Sequence, residues 1–351
     1  MKRVAIVINS LKKGGAEKQA ALLANTLSGL YEVRIFVMRP EEGLAEELID
    51  LSGGMINVEA LWGHRGSGIG RLYRGFRQWH PDVVFCYLTY SNVVGAVAGR
   101  LCGIKYIYQG LRNAYTPIGK VLLDWVANSM STGVILNNYA GLDFYKNRNF
   151  KNIIVIENYF PCVRETRKHE SSKNVTVVTA ARFVKQKDYR TALEAFRIAI
   201  EKVPDLRYRI IGYGEYESAI RAWVSDFGIS DSVEIIINPP NVQSLIDECD
   251  IYLSTSIWEG TSNSIMEAMD ASLPVVATAV GDNCRLVIDG ETGFLLESGN
   301  VSGIADALIA LARSEDMRNE MGTNGNRRLA GKYGVDKFRE SYLKLIKLCG
   351  C

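Results

Sequence analysis

Short apolar segments and amphipathic helical segments alternate along almost the whole of this 351-residue chain, and this alternation most limits the possible folds. The first apolar segment, residues 3–8, is a β-branched run typical of a buried strand. In the next segment, residues 16–27, apolar side chains recur at helical spacing. Strands that alternate with helices in this way indicate βαβ units and a parallel sheet.

A polar segment, residues 158–174, divides this pattern into two halves, and its lack of apolar periodicity is typical of a linker. The chain is also too long for one ordinary core, so two domains are expected. We predict an N-terminal domain over 1–160 and a C-terminal domain over 170–332, with a last helix over 335–351 that packs back on the first domain. The predicted fold class is α/β, with two Rossmann-like, doubly wound parallel sheets that face a cleft.

The apolar runs give the expected strands of each half. In the first half they are 3–8, 33–37, 82–88, 104–108, 133–136 and 153–156. In the second half they are 175–180, 207–211, 233–236, 250–254, 274–278 and 293–296. Ligands bind such sheets at the carboxyl ends of the strands, so the loops after these segments are where functional residues are expected.

Charge and cysteine usage exclude several classes of protein. The net charge is +2, which argues against a nucleic-acid partner, although residues 1–157 carry +6 and the remainder −4. Seven cysteines and three histidines show no metal-ligand spacing, so we expect no metal and no cofactor. No run reaches the length of a membrane span, and reduced thiols are typical of a cytoplasmic protein.

Two loops of the second half have the residue types of a phosphate site. Arg182 and Lys187 follow the strand at 175–180, and two cations so spaced can straddle a diphosphate, although a solvated surface loop has the same composition. Gly212 and Gly214 follow the next strand and would let a ligand approach the backbone, although a tight turn explains them as well.

The segment after the strand at 250–254 is the most specific pattern in the chain. Glu259 lies in a loop, and Glu267 lies in the first turns of a helix that Ser262 or Asn263 can cap. A helix N-terminus favours phosphate, and carboxylates accept hydrogen bonds from sugar hydroxyls. An acidic residue in a first helical turn is also an ordinary partner of the helix dipole, which explains one glutamate but not the Trp-Glu-Gly sequence around Glu259.

Taken together, these clusters resemble the retaining GT-B glycosyltransferases of family 4. The features that carry the resemblance are, in order, Arg182 with Lys187, Gly212-x-Gly214, Glu259-x7-Glu267 and Leu273-Pro274-Val275-Val276-Ala277-Thr278. The segment Gly14-Gly15-Ala16-Glu17-Lys18 is similar to that family's opening loop. The resemblance is specific mainly in residues 175–296, because the first half matches in layout more than in residues.

This resemblance implies a role for each matched residue. Arg182 and Lys187 would hold the donor diphosphate, Glu267 the ribose hydroxyls and Glu259 the transferred sugar. The candidate catalytic residues are therefore Glu259, Arg182 and Lys187. The candidate donor-binding residues are Gly14, Gly15, Arg112, Asn113, Gly212, Gly214, Gly260, Thr261, Ser262, Asn263, Ser264 and Glu267.

The first half departs from the family pattern at one position. Many relatives carry a histidine after the strand that corresponds to 104–108, whereas this chain reads Gln-Gly-Leu-Arg-Asn over 109–113. Either Arg112 or Asn113 contacts the donor sugar instead, or the site is altered.

An acceptor or membrane surface is also suggested in the first half. Residues 60–81 contain four arginines and no acidic residue, which fits contact with anionic lipid or a lipid diphosphate, or an ordinary helix packed on the sheet. Four aromatic residues could line a sugar-binding cleft or fill the core: Tyr106, Tyr108, Tyr115 and Trp125.

The resemblance therefore implies a glycosyltransferase that moves a hexose or N-acetylhexosamine from a nucleotide-sugar to a sugar or lipid-linked sugar acceptor. The expected donor is a UDP-sugar, and the transfer would retain the configuration of the donor sugar. Such an enzyme would act in polysaccharide, O-antigen or glycolipid biosynthesis, in the cytoplasm and at the inner face of the membrane. The alternatives are a nucleotide-sugar-binding protein with impaired catalysis and a sugar-nucleotide epimerase of the same fold.

Overall fold

A computed structural model describes residues 1–11, 15–39, 56–61, 68–112, 118–160, 164–166 and 174–348. The chain divides into two compact units. The first is Met1–Pro161 together with Val335–Cys351, and the second is Cys162–Gly334.

The first unit is built on one parallel sheet. Its elements are β1 (Arg3–Ile8), α1 (Gly15–Ser28), β2 (Glu32–Val37), β3 (Ile56–Ala60), α2 (Gly68–Trp79), β4 (Val83–Tyr87), α3 (Thr89–Leu101), β5 (Tyr106–Leu111), α4 (Ile118–Met130), β6 (Gly133–Leu136), α5 (Leu142–Lys146), β7 (Ile153–Val155) and α13 (Val335–Leu348). The strand order is β3-β2-β1-β4-β5-β6-β7, and neighbouring strands pair in parallel. The order reverses between β1 and β4, where a doubly wound sheet places its ligand site.

Apolar side chains cover both faces of this sheet, as a parallel sheet requires. On β1, Val4 and Ile6 pack on one face with α1 and α13, whereas Ala5 and Val7 pack on the other face with α2 and α3. The final helix α13 belongs to the first core through Phe338, Tyr342, Leu345 and Ile346.

The second unit repeats this architecture. Its elements are β8 (Thr176–Ala180), α6 (Tyr189–Lys202), β9 (Arg207–Gly212), α7 (Glu217–Asp226), β10 (Val233–Ile237), α8 (Val242–Asp247), β11 (Ile251–Ser254), α9 (Asn263–Asp270), β12 (Val275–Thr278), α10 (Asn283–Leu286), β13 (Gly293–Leu296), α11 (Val301–Arg313) and α12 (Glu315–Tyr333). The strand order is β10-β9-β8-β11-β12-β13, again with parallel pairs. The order reverses between β8 and β11, so the loops that follow these two strands lie side by side.

The predicted fold class, two Rossmann-like parallel sheets, is confirmed. The main difference in the elements concerns β5, which the sequence predicts to end at residue 108 but which extends to Leu111. The side chain of Asn92 accepts a hydrogen bond from the Gly110 amide and donates one to its carbonyl, each at 3.2 Å. These bonds hold Gly110 in the strand, and Gln109 is consequently fully buried. The strand β3 and the short helix α5 were not predicted.

Candidate functional site

The second unit brings together a cation from one predicted loop and a carboxylate from another. Lys187 Nζ forms an ion pair with Glu259 Oε1, and both side chains are largely buried. Ser256 Oγ donates a second hydrogen bond to the same carboxylate oxygen, at 2.7 Å. Lys187 follows β8 and Glu259 follows β11, so the pair lies at the point where the strand order of this sheet reverses.

Hydrogen bonds to backbone carbonyl groups hold the two loops together around this pair. The amide of Ile257 donates to the carbonyl of Gln186 at 2.8 Å, and Gln186 Nε2 donates to the carbonyl of Trp258 at 2.7 Å. The Thr255 hydroxyl lies 2.9 Å from the carbonyl oxygens of both Lys187 and Asp188. The two loops therefore form one structure, in which Lys187 and Glu259 are held from both sides.

A buried tyrosine that the sequence analysis did not select, Tyr252, lies at the end of the same strands. Tyr252, on β11, donates its phenol hydrogen to the carbonyl of Ala180, at 3.2 Å. Burial raises the pKa of Tyr252, and the nearby negative charges of Glu267 and Glu259 raise it further, whereas a hydrogen bond with Ser264 lowers it. Both carboxylates are therefore near enough to influence this phenol, Glu259 from the loop after β11 and Glu267 from α9.

The helix α9 begins directly beside these carboxylates. Ser262 caps it by accepting from the amide of Ile265, and the hydroxyls of Ser262 and Ser264 are 3.2 Å apart. Ser262 is buried, whereas Gly260, Thr261, Asn263, Ser264 and Glu267 are partly exposed. A helix N-terminus favours a phosphate, and this one is flanked in sequence by two carboxylates that suit hydroxyl groups.

The structure explains why glycine is required at several positions of this region, which the resemblance did not. A Cβ on Gly212 would lie 2.0 Å from the carbonyl oxygen of Ala181, and one on Gly214 would lie 2.5 Å from that of Phe183. Their lack of a side chain thus lets the loop that holds Arg182 cross over β9. Gly281 has the same function for the other loop, since its Cβ would lie 2.1 Å from the carbonyl oxygen of Glu259.

Arg182 differs from Lys187 in its surroundings. Its side chain is exposed and has no ion pair or hydrogen bond with any residue that the structure describes. It lies in the loop that holds Lys187, directly before the buried Phe183. Arg182 is therefore an exposed side chain of the same loop, and its guanidinium is available to an anionic ligand.

In the first unit, Arg112 is the first residue after β5, and two side chains orient it. Its guanidinium stacks over the ring of Tyr87 at 4.3 Å, and its Nη1 donates to Asn158 Oδ1 at 3.2 Å. Tyr87 is buried and its hydroxyl lies 3.3 Å from that of Tyr342, on α13. The Nε of Arg112 is buried with no partner among the described residues, so this guanidinium retains a free donor.

The remaining predicted positions of the first unit are less informative. Gly15 begins α1 and is exposed, whereas Gly14 and Asn113 lie outside the described residues, as does Tyr115. The apolar stripe of α2 mostly packs on the sheet, because Leu72, Phe76 and Trp79 are buried. Tyr108 is core and Tyr106 is half-buried, but Trp125 is exposed and serves neither as core nor within the polar network around Arg112.

Among the described residues, no group of three or more histidine, cysteine, aspartate or glutamate side chains could hold a metal ion. No helix in those ranges combines the length and the apolar character needed to cross a bilayer.

Family comparisons match both units. The family model described as "Glycosyl transferases group 1" matches residues 164–328, and that described as "Glycosyltransferase Family 4" matches residues 13–109. The first match contains every candidate residue of the second unit.

Two curated relatives are similar over part of their length. The poly(ribitol-phosphate) alpha-N-acetylglucosaminyltransferase of Staphylococcus aureus (strain COL) is 24% identical over 221 residues, which are 63% of this chain and 44% of that protein. The lipopolysaccharide core biosynthesis glycosyltransferase LpsE of Rhizobium meliloti (strain 1021) is 24% identical over 170 residues, 48% of this chain and 49% of that protein. The chain thus spans about half the length of the curated relatives that it matches.

Solved structures are similar over the entire chain. The structure of Anabaena HepE in complex with UDP-glucose matches with a TM-score of 0.82 at 18% identity, and covers 99% of this chain and 100% of that one. Sucrose-phosphate synthase from Thermosynechococcus elongatus matches with a TM-score of 0.80 at 15% identity, over 99% of each chain. At these identities the likeness shows the fold.

Proposed function

Because this chain belongs to the group 1 glycosyl transferases of the GT-B fold, we propose that it transfers a sugar from a nucleotide-sugar to a glycan acceptor. The observation that carries the proposal is the buried pair of Lys187 and Glu259. It joins the loops after β8 and β11 where the strand order of the second sheet reverses, and α9 with Glu267 follows directly in the chain. A cation, two carboxylates and a helix start at one place match a ligand that is both anionic and rich in hydroxyl groups.

The chemistry of the transfer gives each residue of this site a role. Cleavage of the sugar–phosphate bond leaves a nucleoside diphosphate whose negative charge grows as the bond breaks. Lys187, Arg182 and the amides at the start of α9 would stabilise that charge, and one such donor contributes roughly 3–4 kcal/mol to catalysis. The carboxylate of Glu259 would accept hydrogen bonds from the transferred sugar and that of Glu267 from the ribose.

The buried pair Lys187–Glu259 preorganises this site in the absence of ligand. Glu259 keeps the ammonium of Lys187 in a fixed position, so that the cation need not be reoriented when the diphosphate arrives. In the first unit, the stacked and hydrogen-bonded Arg112 would contact the donor sugar in place of the histidine of many relatives.

Within this proposal the donor is a UDP-sugar that carries a hexose or N-acetylhexosamine. HepE was solved with UDP and with UDP-glucose, and a curated relative is a poly(ribitol-phosphate) alpha-N-acetylglucosaminyltransferase. The acceptor is a carbohydrate or a lipid-linked sugar in cell-surface glycan synthesis, and the enzyme works in the cytoplasm at the inner face of the membrane. The sugar is transferred with retention, with the departing phosphate taking the proton of the acceptor hydroxyl.

A thermal-shift titration with UDP-, GDP- and ADP-sugars tests the proposal. A bound donor stabilises the fold by about 2.7 kcal/mol at a hundredfold excess over Kd, and the transition midpoint should rise with UDP-sugars. Lys187→Ala should remove that rise, whereas Arg197→Ala, which alters an exposed cation paired with Glu201 on α6, should preserve it. An unchanged midpoint with all donors would contradict the proposal.

A second candidate function is that of a nucleotide-sugar-binding protein without transferase activity, and one structural feature favours it. Residues 109–111 lie inside β5, so the segment that holds a histidine in many relatives offers no exposed acid or base here. Slow release of free sugar from a bound UDP-sugar, or turnover with any acceptor, rejects this candidate.

A further inference from the structure

The outward face of α4 carries large apolar side chains where the helices of this fold normally expose polar residues. The exposed fractions are 65% for Leu122, 49% for Leu123, 48% for Trp125 and 37% for Val126. We call these four residues the α4 surface. Isolated exposed apolar residues are normal on any protein, but four within five positions of one helix form a continuous patch of the kind that marks interaction sites.

The acidic residue of α4 is buried, whereas its large apolar residues are exposed. Its sole acidic residue, Asp124, is fully buried, and burial raises the pKa of this carboxyl to about 6. Residues three and four apart share a face, so Leu122 and Trp125 lie beside Ser129 and Val126, with no charged side chain among them. The helix thus presents an apolar face outward while it buries a carboxyl group.

Two lysines lie close to the α4 surface. Lys120 is exposed on the same helix, and Lys151 lines a hollow of about 260 Å³ together with Trp125. From residue 83 to residue 156 the sequence contains seven lysines and arginines but only two acidic residues, one of which is the buried Asp124. An exposed apolar patch with a basic margin is complementary to a surface that is anionic outside and apolar beneath.

The geometry points to a docking site for an anionic lipid bilayer on the α4 surface. Leu122, Leu123 and Val126 would enter the boundary between headgroups and acyl chains, and Trp125 would lie at the headgroup level, which tryptophan prefers. Lys120 and Lys151 would contact lipid phosphates, each cation adding to the attraction. A second copy of the chain fits less well, because two copies would bring the same cations together.

This inference deepens the proposed function, since a lipid-linked acceptor is the reason for an enzyme of this kind to bind a membrane. It also changes the position of the membrane contact that the sequence suggested. The apolar residues of α2 are mostly buried against the sheet, whereas those of α4 are exposed.

Flotation with lipid vesicles tests the docking site. The full chain should float with vesicles of phosphatidylcholine mixed with phosphatidylglycerol, and much less with phosphatidylcholine alone. The triple variant Leu122→Ser, Leu123→Ser, Trp125→Ser should bind the anionic vesicles at least tenfold more weakly. A matched control, Leu30→Ser with Leu348→Ser, removes exposed leucines from the same unit and should bind as the wild type.

Two further variants test the docking site with smaller changes than the triple substitution. Trp125→Phe keeps an apolar side chain and should retain binding, but should lose most of the blue shift of tryptophan emission that vesicles cause. Lys120→Glu with Lys151→Glu should weaken binding to anionic vesicles several-fold at low salt, and the loss should shrink as salt is raised.

Titration of the same samples with UDP-glucose separates this inference from the proposed function. Weak vesicle binding by the triple variant with intact UDP-glucose binding supports the docking site. Wild-type protein that binds UDP-glucose but not anionic vesicles, or a triple variant that floats like the wild type, overturns the docking site alone. If the wild type is a dimer, the triple variant is a monomer and neither protein floats with vesicles, the docking site is also overturned and the surface is assigned to a second copy. Vesicle binding without binding of any nucleotide-sugar would instead contradict the proposed function.

Discussion

The ion pair between Lys187 and Glu259 makes a quantitative prediction about the stability of the second unit. Lys187→Met removes one partner of a largely buried pair and leaves the carboxylate of Glu259 uncompensated. Removal of one partner of such a pair costs about 3–5 kcal/mol. We expect the lower end, about 3 kcal/mol, because the Ser256 hydroxyl still donates to Glu259.

The second substitution, Glu259→Gln, should reverse part of this loss. A neutral amide at position 259 no longer needs a cation, so the double variant should be more stable than the sum of the two single changes predicts. We expect a coupling free energy of about 2 kcal/mol. The backbone of the loop should stay in place, since Thr255 contacts the carbonyl groups rather than the side chain of Lys187.

Scanning calorimetry of the four proteins measures this cycle. For units of this size, 1 kcal/mol corresponds to roughly 2–4 °C, so Lys187→Met should lower the midpoint of one transition by about 6–12 °C. Arg190→Met, which breaks an exposed pair with Glu194, is the matched control and should shift it by at most about 2 °C. Strictly additive effects of the two substitutions would refute the reasoning, because the two side chains would then not hold each other in place.

Three further outcomes are expected. Burial raises the pKa of Asp124 from 3.8 to about 6, so the folded state holds this proton more tightly and the free energy of unfolding should fall by up to about 3 kcal/mol as the pH rises from about 4 to about 7. Asp124→Asn should remove this dependence in calorimetry at a series of pH values, and equal pH profiles of variant and wild type would contradict it. Gly281→Ala should destabilise the second unit by more than Gly290→Ala, since both glycines have a positive φ but only Gly281 has an oxygen within 2.1 Å of the added Cβ; equal losses of thermal midpoint would count against the close contact with Glu259. Arg112→Lys should lower kcat about tenfold or more with a smaller change in KM, because lysine lacks the planar fork that stacks on Tyr87 and bonds to Asn158. The control is Arg148→Lys, an exposed guanidinium over Phe144, and steady-state kinetics in which both variants behave alike would reject a role for Arg112.

Most of the fold could be predicted because both sheets are parallel and buried on both faces. Such strands are short apolar runs, and the intervening helices show clear periodicity. The strand β3 was missed because its sequence, Ile-Asn-Val-Glu-Ala, has few consecutive apolar residues and lies at the edge of the sheet. The end of β5 was misplaced because a distant side chain, Asn92, extends the pairing through Gly110.

The candidate site was predicted only in part, for a related reason. Cations and carboxylates at the ends of strands can be recognised by position, so Lys187 and Glu259 could be found from the sequence. Tyr252 could not, because an aromatic residue inside an apolar strand is indistinguishable from core until its hydroxyl is seen to bond the carbonyl group of Ala180 at the end of β8. For Trp125 the sequence left open a role in the core or in a sugar-binding cleft, since helical periodicity alone does not show which face of α4 is turned outward.

The central claim is that both loops hold one nucleotide-sugar, and calorimetric titration tests it most directly. UDP-glucose and related nucleotide-sugars are titrated into the wild type, Arg182→Ala and Glu267→Ala, with Arg190→Ala as the control. If both loops hold one anionic, hydroxyl-rich ligand, each site substitution should weaken binding at least tenfold, about 1.4 kcal/mol, while the control binds as the wild type. Equal affinity in all four proteins, or no binding by the wild type, would contradict the account.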